Sequence, residues 1–179
     1  PSSENHYILD AFRENKQILR NPECTVHDIG DGVMCIEFQT KGNSIGEGIA
    51  KGINEAIDIA ERDGWNGIVI GNNDKQFSVG ANLMNMGMMA MQKNFDEIEK
   101  FLVGFQKILM RMRTCNVPVV SATHGFVMGG GLEVSIHCDA GIHASEAYIG
   151  LVEAGVGLIP GGGGTKEMAM RASDSFNSG

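Results

Sequence analysis

No two cysteines stand at C-x-x-C spacing, no apolar run approaches the roughly 18 residues of a membrane span, and no stretch gathers lysine and arginine. The first absence leaves Cys24, Cys35, Cys115 and Cys138 as separate thiols, each in or beside an apolar run. Buried free cysteines in a reducing, cytoplasmic compartment are the expected reading, with a disulfide left open. The second predicts no membrane span. The third, with a formal charge of −8, argues against a nucleic-acid partner. A basic segment followed by an apolar one is also missing from the start, so no secretory signal is expected.

What is present is an ordinary globular composition, 42% hydrophobic and 20% charged. A chain of 179 residues suggests one domain. The chain opens on Pro1 and closes on "RASDSFNSG", a polar run that reads as a loop, so both ends are expected to be cuts in a longer protein.

Periodicity gives the organisation. Residues 1–22 read as an N-terminal linker helix, with Tyr7, Ile8, Phe12, Ile18 and Leu19 at helical intervals and a stop at Asn21-Pro22. "CTVHDIGDGVMCIEFQT" alternates around Gly30-Asp31-Gly32 and predicts a β-hairpin. "GEGIAKGINEAIDIAERDG" predicts a helix ending at Gly64, followed by a strand at "GIVIGN", a methionine-rich helix, and a longer helix over about Phe95 to Thr114. Strands at "VPVVSATHG" and "CDAGIHAS" and a last helix near "TKEMAMRA" complete an alternating α/β pattern.

Several motifs fail. "GVGLIPGGGGTK" puts Pro160 where a dinucleotide fingerprint needs its third glycine, and its Thr and Lys stand in the wrong order for a phosphate-binding loop. His6, His27, His124, His137 and His143 lack the spacing of a helical metal site, so no metal is expected. There is no G-x-S-x-G elbow.

The stretch "GFVMGGGLEVSIHCDAG" is different. Three glycines, Gly129 to Gly131, precede an apolar helix with Glu133 in its first turn. Unpaired N–H groups at a helix start, bare of side chains, suit an oxygen that gains negative charge during reaction. Glu153, in the apolar "GLVEAGVGLIP", is either exposed on a strand edge or desolvated, where its pKa rises toward acid/base use. The residues alone leave two bland readings open: Glu133 as a first-turn acid favoured by the helix dipole, and the glycines as a close-packing device.

Three segments resemble, in order, the motifs of the crotonase (enoyl-CoA hydratase/isomerase) superfamily: "KQFSVGANL", "HGFVMGGGLEVSIHCD" and "EAYIGLVEAGVGLIPGGGGTK". The resemblance runs from about Cys24 to Arg171 and implies a crotonase-like fold of repeated ββα units over 23–179, short of its C-terminal helices. It places two oxyanion donors on the backbone N–H groups of Ala81 and Gly130, and the two hydratase glutamates on Glu133 and Glu153. Substrate contacts are implied at Lys41, Asn43, Phe77, Gly80, Ala81, Leu83, Gly129 and Gly130. Two positions depart from the family pattern: Asn82 stands for an acid, and Val152 precedes Glu153 in place of proline.

The implied activity is hydration of a trans-2-enoyl-CoA thioester in β-oxidation, inside a fusion with a 3-hydroxyacyl-CoA dehydrogenase. Hydration itself needs no cofactor, coenzyme A arriving with the substrate, and NAD enters only with a dehydrogenase domain. An enoyl-CoA isomerase and a non-catalytic thioester-binding module are the alternatives. The resemblance also implies a homo-oligomer, trimer-based in the family. Lys41 is either a phosphate contact or a solvated lysine. Met84, Met86, Met88, Met89 and Met91 either line an acyl pocket or form a core stripe, and cannot all face inward.

Overall fold

The computed structural model describes Leu9, Phe12 and residues 16–177. The expected helix over 1–22 lies outside the described residues apart from Leu9, Phe12 and the part from Lys16 onward. In that part it is a strand, β1 (Gln17–Arg20). The reason is the turn that follows. Asn21 Oδ1 accepts the N–H groups of Glu23 and Cys24 at 2.8 and 3.0 Å, folding Leu19 and Arg20 back onto Val26 and Thr25. A segment stopped by Pro22 gains more from that ladder than from one helical turn.

The hairpin forms as expected from β2 (Cys24–Gly30) and β3 (Val33–Phe38). Asp31 and Gly32, both at positive φ, make its tip. The helix α1 (Glu47–Asp63) ends on Gly64 in the left-handed conformation. Its Ile49, Ile53 and Ile57 are buried with Val26, Ile36, Ile68 and Ile70 in one core cluster. Burying each isoleucine contributes about 1.5–3 kcal/mol.

Then follow β4 (Gly67–Ile70), α2 (Leu83–Met91), α3 (Phe95–Thr114), β5 (Val119–Thr123), β6 (Phe126–Met128), α4 (Gly130–His137), β7 (Ala140–His143), β8 (Tyr148–Gly150) and α5 (Gly164–Asn177). The helix α5 corrects the loop expected over 171–179, since it continues to Asn177. Once a helix is nucleated, each added polar residue costs only a few tenths of a kcal/mol in propensity, so a Ser- and Asp-containing stretch can extend it.

The large sheet has the order β1-β2-β3-β4-β5-β7, antiparallel from β1 to β3 and parallel from β3 onward. A second ladder pairs β6 with β8, and a single bridge joins Ser78 to Val127. A large-sheet strand, a small-sheet strand and a helix recur in β5-β6-α4 and β7-β8-α5, the ββα repeat the motifs implied. The small sheet brings three chain segments together, and the candidate site is built where they meet.

Candidate active site

The loop after β4 runs beside β6. Ser78 N donates to Phe126 O and Met128 N to Ser78 O, each at 3.0 Å, while Ser78 Oγ donates to Asn43 O at 2.7 Å. Gly80 (φ 91°) turns this loop against the start of α4. A Cβ there would lie 2.8 Å from Met128 O and 3.0 Å from Gly130 N, so only glycine permits the approach. Ile45 N donates to Gly80 O and Asn82 N to Ile45 O, which leaves the Ala81 N–H out of that bridge. Gly130, the first residue of α4, carries one of the N–H groups that no helix can satisfy internally. The position of a Cβ on Gly130 is 3.4 Å from Ala81 N. The two N–H groups singled out in the sequence are therefore neighbours.

Glu133 is buried in α4. Its carboxylate does not cap its own helix. Both of its oxygens accept the Gly162 N–H at 2.9 Å, and Oε1 accepts the Gly164 N–H at 2.8 Å. Burial raises its pKa above the usual glutamate value, the Gly164 and Gly162 N–H groups oppose the rise, and the charge of Glu153 adds to it.

Glu153 opens a 3-10 turn, Glu153–Val156, directly after β8. It is half-buried, its Oε2 is buried without a hydrogen-bond partner among the described residues, and its Oε1 lies 2.9 Å from where a Cβ of Gly129 would be. Gly129 (φ 51°) thus makes room for the second acid as well as opening α4. The β6–β8 ladder aligns them, pairing Met128 with Gly150, and Gly129 N donates to Gly150 O at 2.9 Å.

The glycine run 161–164, read in the sequence as a failed nucleotide motif and as the end of the third resembling segment, is the cradle of the Glu133 carboxylate. Its signal was the same as that of Gly129–Gly131, consecutive glycines before a helix. Phe105 was also missed. Its ring lies 2.7 Å from where a Cβ of Gly162 would be and 3.6 Å from that of Gly130, and it stacks on Phe101 with centroids 6.3 Å apart.

A cleft of about 560 Å³ adjoins the N–H pair, with Lys41, Ile45, Asn82, Met86, Met89 and Phe101 in its wall. Neither carboxylate lines it; it meets the site through Asn82, next to Ala81, and through Phe101. Lys41 is exposed at the cleft. Leu83 is exposed at the start of α2 and is not in the wall. Asn43 is buried, its Nδ2 donating to Gln76 O at 3.0 Å, so it ties two loops together. Phe77 is fully buried in the core with its ring 6.2 Å from that of Phe38, away from the cleft.

The five methionines divide as an amphipathic helix must: Met86 and Met89 are half-buried, and Met84, Met88 and Met91 are exposed. Among the described residues, no three His, Cys, Asp or Glu side chains gather as metal ligands.

A family model described as enoyl-CoA hydratase/isomerase matches residues 28–176. A Bacillus subtilis protein named "Probable 3-hydroxyacyl-CoA dehydrogenase" is 42% identical over 161 residues, which is 89% of this chain and 20% of that protein. The short-chain-enoyl-CoA hydratase of Clostridium acetobutylicum is 36% identical over 102 residues, 57% of this chain and 38% of that protein. The chain thus spans about a fifth of the first of these relatives. The crystal structure of enoyl-CoA hydratase from Thermoplasma volcanium superposes with a TM-score of 0.74 at 25% identity, over 87% of this chain and 63% of that one. The architecture is the crotonase fold of such hydratases. With a match across most of its length and the N–H pair and both acids assembled by that fold, the chain belongs to the enoyl-CoA hydratase/isomerase family.

Proposed function

We propose that this chain catalyses the reversible addition of water across the C2=C3 bond of a trans-2-enoyl-CoA thioester, giving a 3-hydroxyacyl-CoA. The observation that carries the reading is the convergence of two acids, Glu133 and Glu153, beside the N–H groups of Ala81 and Gly130. The thioester oxygen sits on the two N–H groups and its growing enolate charge is stabilised there; one such donor is worth on the order of 3 kcal/mol. Glu133 and Glu153 hold one water. As its oxygen bonds to C3, one carboxylate takes a water proton and the other supplies a proton to C2, so the pair returns to its starting state through solvent exchange. An isomerase needs only one such acid, and the presence of both favours hydration.

The Met86–Met89 side of the cleft suits the acyl chain and Lys41 a phosphate of coenzyme A. The step requires no redox group and no metal. NAD belongs to a dehydrogenase domain of a longer protein, and a cytoplasmic, trimer-based homo-oligomer is the form we assign to it.

The test is the loss of enoyl-thioester ultraviolet absorbance when crotonyl-CoA is added to the full-length protein. Glu133→Gln and Glu153→Gln should each lower the rate by about 100-fold or more while thioester binding persists. Full activity in both variants would overturn the reading, and faster turnover of a 3-enoyl thioester would move the assignment to an isomerase.

A further inference from the structure

Behind Glu133, away from the cleft, lies a second buried acid. Glu167, in the first turn of α5, is fully buried, and three elements bring a basic group to it: Arg113 from α3, His137 from α4 and Lys166 from α5. Arg113 Nη1 donates to Glu167 Oε2. Among the described residues Oε1 has no well-aligned hydrogen bond, with Lys166 Nζ at 3.1 Å and His137 Nε2 at 3.7 Å.

Both ends of this cluster reach Glu133. His137 Nδ1, as the protonated nitrogen, donates to Glu133 O at 2.7 Å. Glu167 N donates to Gly163 O at 3.0 Å, inside the glycine run whose Gly162 and Gly164 N–H groups hold the Glu133 carboxylate. Gly162 and Gly164 have no side chains of their own with which to fix the loop. Gln106 Nε2, which donates to Gly161 O at 2.6 Å, secures the other end of the run from α3.

We infer that Glu167 is a positioning residue for the hydration step, clamping the start of α5 to Arg113 so that Gly162 and Gly164 present their N–H groups to Glu133. The inference rests on the hydratase reading for its kinetic consequence, though not for its structural one. A buried carboxylate joined to a cation of another helix stays where it is, because separating the pair leaves a charge in a poorly solvated place. Burial raises the proton affinity of Glu167, but Arg113 and Lys166 more than offset it, and the carboxyl lies below the usual glutamate value. It is therefore charged, and the clamp closed, at neutral pH.

The test uses the full-length protein with 13C-labelled glutamate side chains, the Glu133 resonance being assigned by its loss in Glu133→Gln. In Glu167→Gln the cradle loosens, Glu133 loses N–H bonds that favour its charged form, and its titration moves to higher pH. Simply deleting a nearby negative charge would move it the other way, so the sign separates repositioning from bulk electrostatics.

The hydration kcat should fall on the order of 10- to 100-fold with KM little changed, because misplacement of an acid/base group acts on the transition state. Glu167→Asp keeps the charge, shortens the reach and should give a smaller shift in the same direction with part of the kcat restored. It also decides the matter if the Gln variant does not fold.

A folded variant of either kind in which Glu133 titrates at or below its wild-type position would overturn the inference. If the wild-type protein does not hydrate crotonyl-CoA, the function above fails, while the Glu133 titration still decides the clamp.

Discussion

Both carboxylate oxygens of Glu133 accept the single N–H of Gly162, each at 2.9 Å, although 29 residues separate the two in the chain. The contact requires a bare Cα. In Gly162→Ala the new methyl would lie 2.6 Å from Glu133 Oε2 and 2.7 Å from the Phe105 ring, and Phe105 is itself buried. The expected result is a loss of about 1–3 kcal/mol in unfolding free energy from overpacking, together with a fall in kcat of at least about tenfold. Urea denaturation and crotonyl-CoA hydration, measured on the same preparation, check both.

Two of the buried acids, Glu133 and Glu167, contribute to the pH dependence of stability with opposite signs. Glu133 is raised above the usual 4.5, chiefly by burial, so its contribution is fully present below 4.5 and is lost as pH rises through its folded value. Glu167 is lowered, because Arg113 and Lys166 overcome its burial, so its contribution is present above 4.5 and is lost as pH falls through its folded value. Glu133→Gln should therefore flatten the decline above 4.5, and Glu153→Gln should shrink it by removing the like charge. Urea midpoints over a pH series read these effects, and an unchanged slope in both variants would contradict them.

Gly80→Ala combines two faults, a side chain at φ 91° and a methyl 2.8 Å from Met128 O. About 1–3 kcal/mol of strain is expected if the loop stays in place. If it retreats, the Ala81 and Gly130 N–H groups separate and activity falls on the order of 100-fold. Calorimetry and initial rates distinguish the two outcomes.

The four thiols are unbonded and should differ in reactivity. Burial pushes Cys24 up to about 11, and Cys35 and Cys138 up to about 12, while Cys115 is partly exposed. With a chromogenic disulfide reagent at pH 8, Cys115 should react first and the other three only after urea is added. Peptide mapping of the labelled protein identifies the site.

The parts legible in the sequence are those fixed by nearby residues. The Asp31-Gly32 turn, the Gly64 stop of α1 and the limits of α3 depend on local turn and cap chemistry. That Ala81, Gly130, Glu133 and Glu153 come together was also legible, through the glycines beside them and the motif resemblance, while their roles rest on the function proposed above. What was not legible is non-local. Pairing with β2 made a strand of Gln17–Arg20, and the three-residue β6 exists only because Tyr148–Gly150 and Ser78 come to it from elsewhere. The cradle for Glu133 escaped because glycine runs look alike in sequence whether they receive a phosphate, a substrate or the protein's own carboxylate. Phe77 and Asn43, placed among substrate contacts by resemblance, are occupied in holding the loops from within.

The pairing of Met128 with Gly150 also sets where the chain tolerates a change in length. Measured from that pair, Glu133 is five residues onward on one strand and Glu153 three onward on the other. An extra residue between Gly150 and Glu153 would shift the second acid by about 3.3 Å if the chain stayed extended there, more than the length of a hydrogen bond. An extra residue at Ser145 or Glu146, exposed between β7 and β8, leaves both counts untouched. Insertions and deletions in this half of the molecule should thus be confined to that connection, with the two short arms beyond the ladder held to fixed lengths.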